Sequence, residues 1–237
     1  MHRLPVEIIE FIVEFVKSSR DYRTLASLAL VNKSLCERAR SILYHTLSSL
    51  ENNTTFGATP QCLKDFPHLG RYVLTCTIQH TLLVGHRGTH IVDNALLFPE
   101  RVSEHLVNLK DLSIKKFDHG NVLNFETIPF QLDRFCWNDC NAFLPLLTFL
   151  KTQSELRRLE IGFSYNPFTM EFSLTHCPKI EYLEGNRGMV EVILPGRKVS
   201  ILLWEVTWST FHNVYGSLLS KNSLKNLAVE FSHLKAL

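Results

Sequence analysis

Cysteine and histidine are the residues of this chain whose spacing could support chemistry, as nucleophiles, metal ligands or disulfides. Cys36, Cys62, Cys76, Cys136, Cys140 and Cys177 are scattered through the 237 residues and never form C-x-x-C. Neither a zinc-finger spacing nor a dithiol motif is therefore present. The start, Met-His-Arg-Leu-Pro, is not a secretory leader, so reduced and mostly buried thiols are expected rather than disulfides. His176-Cys177-Pro178 precedes an expected strand and reads as a turn, not as a Cys/His dyad. The signatures H-E-x-x-H, G-x-x-x-x-G-K-[ST] and G-x-S-x-G are all absent. No metal site and no cofactor are expected.

One further stretch invites an enzymatic reading. Gly85-His86-Arg87-Gly88 resembles the His-Arg-Gly opening of glycerophosphodiester phosphodiesterases. That resemblance implies an acid/base role for His86 and a metal held by later carboxylates. The Glu-Asn-Thr signature that follows in that family is replaced here by Thr89-His90-Ile91-Val92-Asp93-Asn94. A surface loop explains His86, Arg87 and Gly88 without catalysis, and the chain is expected not to be an enzyme.

With little chemistry to position, the elements themselves become informative. Pro5 suits the first turn of a helix, and polar residues then fall only at Glu7, Glu10, Glu14 and Lys17. Ile8, Ile9, Phe11, Ile12, Val13, Phe15 and Val16 fill the rest. A surface helix needs an apolar stripe of about 100°, and this one is much wider, so one face is expected to meet a partner. Asp21 is expected to cap a second helix carrying Leu25 and Leu28, and Asn32 a third carrying Leu35, Ala39, Ile42 and Leu43.

Leu4-Pro5, Ile8-Ile9, Ile12, Leu25, Leu28, Val31-Asn32-Lys33 and Leu35 resemble an F-box. The resemblance implies docking of Leu4, Pro5, Ile8, Ile9, Ile12, Leu25, Leu28, Val31 and Leu35 on a Skp-type adaptor, and through it on a cullin. The family pattern has Cys where Asn32 stands and an aromatic, commonly Trp, where Leu35 stands.

Residues 48–61 are polar and read as a linker. Beyond them an L-x-x-L-x-L spacing starts at Leu109, Leu132, Leu156, Ile180, Val199 and Leu224, a separation of about 19 to 25 residues. That period fits leucine-rich repeats. An earlier unit is expected at Leu69 to Leu74, after a short helix over 61–66. Return helices are expected over 141–151 and over 94–107. Gly185 stands where an apolar residue belongs. The last strand is followed by only six residues, so either the chain is truncated or Leu234 and Leu237 fold back as a cover. The combination resembles large fungal F-box families.

The expected architecture is thus α/β: a three-helix F-box over 1–47, a linker over 48–61, and a leucine-rich-repeat solenoid over 62–237. Parallel strands would line the concave face and helices the convex face. Strand alternation turns Lys115, Arg134, Arg158, Glu160, Tyr182, Glu184, Glu205 and Glu230 outward as candidate target-binding residues, grading from basic to acidic. A net charge of +2 gives no argument for nucleic acid or a membrane surface, and no apolar run is long enough to cross one. The expected function is substrate recognition in a Skp–cullin–F-box ubiquitin ligase, in the cytoplasm or nucleus. The competing expectation is a repeat scaffold that the helical block merely caps.

Overall fold

The computed structural model describes residues 5–19, 21–48, 60–79, 83–84, 90–91, 103–115, 128–138, 143–162, 172–173 and 175–205. The fold is α/β with parallel strand pairing, and it divides into two compact units. The first unit gathers Met1–Ile78, Val92–Lys110 and Ile128–Phe130; the second gathers Gln79–Ile91, Asp111–Thr127 and Gln131–Leu237.

The first unit opens with α1 (Val6–Ser18), α2 (Tyr22–Leu28) and α3 (Lys33–Leu43). Pro5 sits at the N-cap of α1, one position before the expected one, and its carbonyl accepts from the amides of Ile8 and Ile9. Asp21 caps α2 by accepting from the Thr24 amide at 3.1 Å, and Asn32 caps α3 through the Leu35 amide at 3.0 Å. Val13, Val16, Leu25 and Leu35 form the shared core, flanked by half-buried Ile9, Ile12, Tyr22, Leu28, Ile42 and Leu43. A pair between Arg38 of α3 and Glu10 of α1, 3.7 Å apart, lies on the exposed rim.

Strand β1 (Thr46–Ser48) follows α3 directly and pairs in parallel with β2 (Thr75–Gln79), Leu47 opposite Cys76. Between them lie α4 (Pro60–Asp65) and a 3₁₀ turn over Pro67–Tyr72. The stretch expected as a strand at Leu69 to Leu74 is therefore mostly 3₁₀. Pro67 starts that turn, and Gly70 packs so tightly that an added Cβ would sit 2.5 Å from the His105 carbonyl oxygen. The strand frame is instead Val73-x-x-Cys76-x-Ile78, all three buried. Ser103 is helical, within the return helix expected over 94–107, most of which lies outside the described residues. Tight turns then follow, with the amides of Leu106 and Leu109 donating to the carbonyls three residues back.

The second unit is built on five parallel strands: β5 (Asp111–Lys115), β6 (Arg134–Asn138), β7 (Arg158–Gly162), β8 (Tyr182–Asn186) and β9 (Ile201–Glu205). Each begins two residues after the first apolar of its L-x-x-L-x-L match, and they pair in that order. The register aligns Leu112, Phe135, Leu159, Leu183 and Leu202 in one row. Ile114, Trp137, Ile161 and Gly185 align in the next. Helix α5 (Phe143–Thr152) provides the crossover that parallel pairing of β6 and β7 requires. Its Phe149 packs on Phe135 at 5.0 Å between ring centroids. Helix α6 (Arg187–Ile193) connects β8 to β9, capped by Asn186, whose Oδ1 accepts from the Met189 amide at 3.0 Å. A short antiparallel pair, β3 (Leu83–Val84) and β4 (His90–Ile91), completes the described elements.

Buried polar groups fasten the turns. Gln153 is fully buried and accepts from the Leu132 amide at 2.9 Å, while Gln131 donates to the Thr152 carbonyl at 2.8 Å. The second bond satisfies a carbonyl that the end of α5 would otherwise leave open. His176-Cys177-Pro178 is a turn, as expected, with Cys177 at φ 46. The Cys177 thiol donates to the Leu150 carbonyl, and burial pushes its pKa up to about 12. That thiol is structural, not nucleophilic.

Candidate functional site

Two surfaces stand out, one on each unit. On the first, α1 divides its apolar residues between two stripes. Val13 and Val16 enter the three-helix core with Ile9 and Ile12 beside them. Ile8, Phe11 and Phe15 point away from it, and Phe11 is 70% exposed. At about 100° per residue these three span roughly 60° of the helix surface, so they form a second stripe next to the first. The turn between α2 and α3 adds Leu30, 88% exposed, and exposed Val31. The cap by Asn32 fixes the geometry of that turn.

The residues expected to meet an adaptor therefore separate. Pro5, Ile8 and Val31 are exposed; Ile9, Ile12 and Leu28 are half-buried. Leu25 is fully buried and Leu35 only 6% exposed, so both belong to the block's own core and not to a contact surface. Leu4 lies outside the described residues. Phe11, Phe15 and Leu30 complete the exposed set. For Phe11 and Phe15 the signal was the width of the α1 apolar arc, which counts more residues than one core can take.

On the second unit, the sheet face opposite α5 carries a connected polar network. Arg134 reaches Asp111 on one side (3.3 Å) and Glu160 on the other (2.9 Å). Arg158 donates from Nε to the same Glu160 at 2.5 Å, and its guanidinium stacks over the Tyr182 ring, 4.0 Å from the centroid. The Tyr182 hydroxyl donates to Glu184. Adjacent strands bring these side chains together because residues two apart on one strand share a face with their register partners.

Glu160 is the most enclosed member, 8% exposed. Burial pushes its pKa up, but hydrogen bonds and charge from Arg158 and Arg134 outweigh that and hold it below the ordinary carboxylate range. Burial raises the Tyr182 phenol, helped by its bond to Glu184, to about 12. Cys136 lies buried between Ser113 and Glu160, and burial pushes its thiol up, so it is not a nucleophile.

The expected gradient from basic to acidic is thus largely cancelled within the network. Two arginines share two carboxylates, Asp111 and Glu160. Lys115 is exposed at the end of β5, and Glu184 carries no cation among the described residues. Asn186 is engaged as a cap. The Glu205 side chain and all of Glu230 lie outside the described residues. Two residues on this face were missed: Ile201, register partner of Tyr182, and Leu203, register partner of Glu184, the latter 41% exposed. Strand alternation places both outward.

Among the described residues no group of His, Cys, Asp and Glu could hold a metal ion, and no helix is long and apolar enough to cross a membrane. His86, Arg87 and Gly88 lie between β3 and β4, outside the described residues. Comparisons with models of known protein families, with curated proteins and with solved structures find no match.

Proposed function

We propose that this chain is a non-catalytic substrate-recognition subunit of a Skp–cullin–F-box ubiquitin ligase. The helical block docks on the Skp-type adaptor, and the strands that follow it in sequence, read as a leucine-rich-repeat solenoid, hold a target protein. The observation that carries this reading is the second apolar stripe of α1, Ile8, Phe11 and Phe15, left outside the core of a block whose sequence resembles an F-box. Exposed aromatic anchors of this kind dominate binding energy when covered. The contribution to ubiquitin transfer is a raised effective concentration of a target lysine, not bond chemistry.

Co-expression with a Skp-type adaptor tests it. The wild-type chain should co-purify with the adaptor in equimolar amount, and Phe11→Asp or Leu30→Asp should lose more than about tenfold of the captured adaptor while the chain stays soluble. Unchanged capture by both variants would overturn the assignment.

A second reading, a repeat scaffold capped by the helices, draws on a different observation. Strand β1 follows α3 with two residues between them, and Glu37 of α3 is bonded by Arg71 (3.2 Å) and by the Tyr72 hydroxyl of the 3₁₀ turn. That reading predicts no adaptor complex and an insoluble product once residues 1–47 are removed.

A further inference from the structure

Tyr182, Glu184, Ile201 and Leu203 form one compact patch on the open face of the sheet. Tyr182 and Ile201 are register partners, as are Glu184 and Leu203, so neighbouring members stand about 5 Å apart across the strands and about 7 Å along them. The patch differs in kind from the network beside it. Arg134, Arg158, Glu160 and Asp111 already pair with one another, so their charges are largely offset within the network. Glu184 receives a single hydroxyl, from Tyr182, and forms no ion pair among the described residues. A carboxylate has room for further donors. Ile201 and Leu203 stand exposed beside it.

These neighbours restrict what can bind. A ligand that covers the two aliphatic side chains also removes water from Glu184, and a carboxylate desolvated without a counter-charge is heavily penalised. The occupant must bring an apolar group and a cation together. We infer that this patch is the recognition site for an extended protein segment that presents a basic side chain next to an aliphatic one. The base meets the Glu184 carboxylate, and the aliphatic group covers Ile201 and Leu203. This inference rests on the reading of the strand face as target-binding, and it moves specificity away from Arg134, Arg158 and Glu160, which position the Tyr182 ring and hold the sheet face together.

Three labelled peptides of equal length test it against the full chain by fluorescence anisotropy. They carry Arg–Leu, Glu–Leu or Arg–Ser pairs in a common Ser/Thr background. The Arg–Leu peptide should bind about tenfold tighter than either of the others. Glu184→Gln, which keeps an acceptor for Tyr182, and Leu203→Ser, at an exposed position, should each abolish that preference, while Lys115→Gln should leave it unchanged. Absence of binding by all three peptides, preference for the Glu–Leu peptide, or a preference untouched by both substitutions would overturn the inference. Adaptor capture by the same protein is measured in parallel. Capture without the peptide preference removes this inference alone, and the peptide preference without capture removes the ligase reading alone.

Discussion

Glu160 concentrates the electrostatic stakes of the strand face in one side chain. It is nearly buried, accepts from two guanidiniums, and its removal would leave Arg134 with Asp111 alone and Arg158 with only the Tyr182 ring. Both arginines are about two-fifths exposed, so water compensates part of the loss. Glu160→Gln should destabilise the protein by about 1–2 kcal/mol in urea unfolding. Because its folded-state pKa is depressed, its contribution is complete above the ordinary carboxylate range and is lost as pH falls through that range toward the folded value. The acid side of the stability profile should therefore flatten in Glu160→Gln. On the helical block, Leu35 makes the opposite point. Family resemblance marked it as a contact, yet it fills the core, so Leu35→Ala should cost about 2–5 kcal/mol whether or not any partner is present. Sequence did not convey that Glu160 and Leu35 are both nearly enclosed.

Elements were legible where periodicity was strong. All three N-terminal helices, the caps at Asp21 and Asn32, α5 and the five strands of the second unit fall where spacing and capping residues place them. The frame at Val73 was obscured because Thr75, Cys76 and Thr77 are weakly apolar, while the misleading Leu69 belongs to a 3₁₀ turn. Gly185 looked like a defect in the fourth match and has a packing reason. Helix α6 begins right after β8, and a Cβ on Gly185 would meet the Ile161 carbonyl oxygen at 3.0 Å and the Met189 Cβ at 3.5 Å. Gly185→Leu should destabilise by about 1–3 kcal/mol. Behind α6, buried Arg197 donates to the carbonyls of Ile193, Ser173 and His176 and lies over the Phe172 ring. This clasp joins the end of α6 to the 173–177 turn. Arg197→Met should destabilise by about 2–4 kcal/mol, since three carbonyls lose a charged donor at once.

The same turn carries a pH response. Burial lowers the His176 pKa, and the charges of Lys151 and Arg197 lower it further. A histidine that binds its proton more weakly when folded stabilises fully above its unfolded pKa and loses that contribution as pH falls below about 6.5. Urea midpoints measured at pH 7.5 and 5.5 should fall toward the lower pH, and His176→Gln should reduce the drop.

At the scale of the whole molecule, the chain holds two compact units, one whose three helices leave surplus apolar surface and one whose five parallel strands carry a polar and partly apolar open face. Sequence conveyed a change of period, from helical spacing before residue 47 to matches recurring about every 19 to 25 residues after 109. It did not convey the bounds of the units, the first of which runs on to Ile78 and takes in Val92–Lys110 and Ile128–Phe130. It could not convey which charges cancel, because Arg134 and Glu160 are 26 residues apart and meet only through parallel register. The most direct measurement of the central claim is titration of the full chain with a purified Skp-type adaptor, comparing wild type with Phe11→Asp. The account predicts saturable one-to-one binding by the wild-type chain, weakened more than about tenfold by Phe11→Asp with an unchanged thermal melt. Absence of wild-type binding, or equal affinity for both proteins, would contradict it.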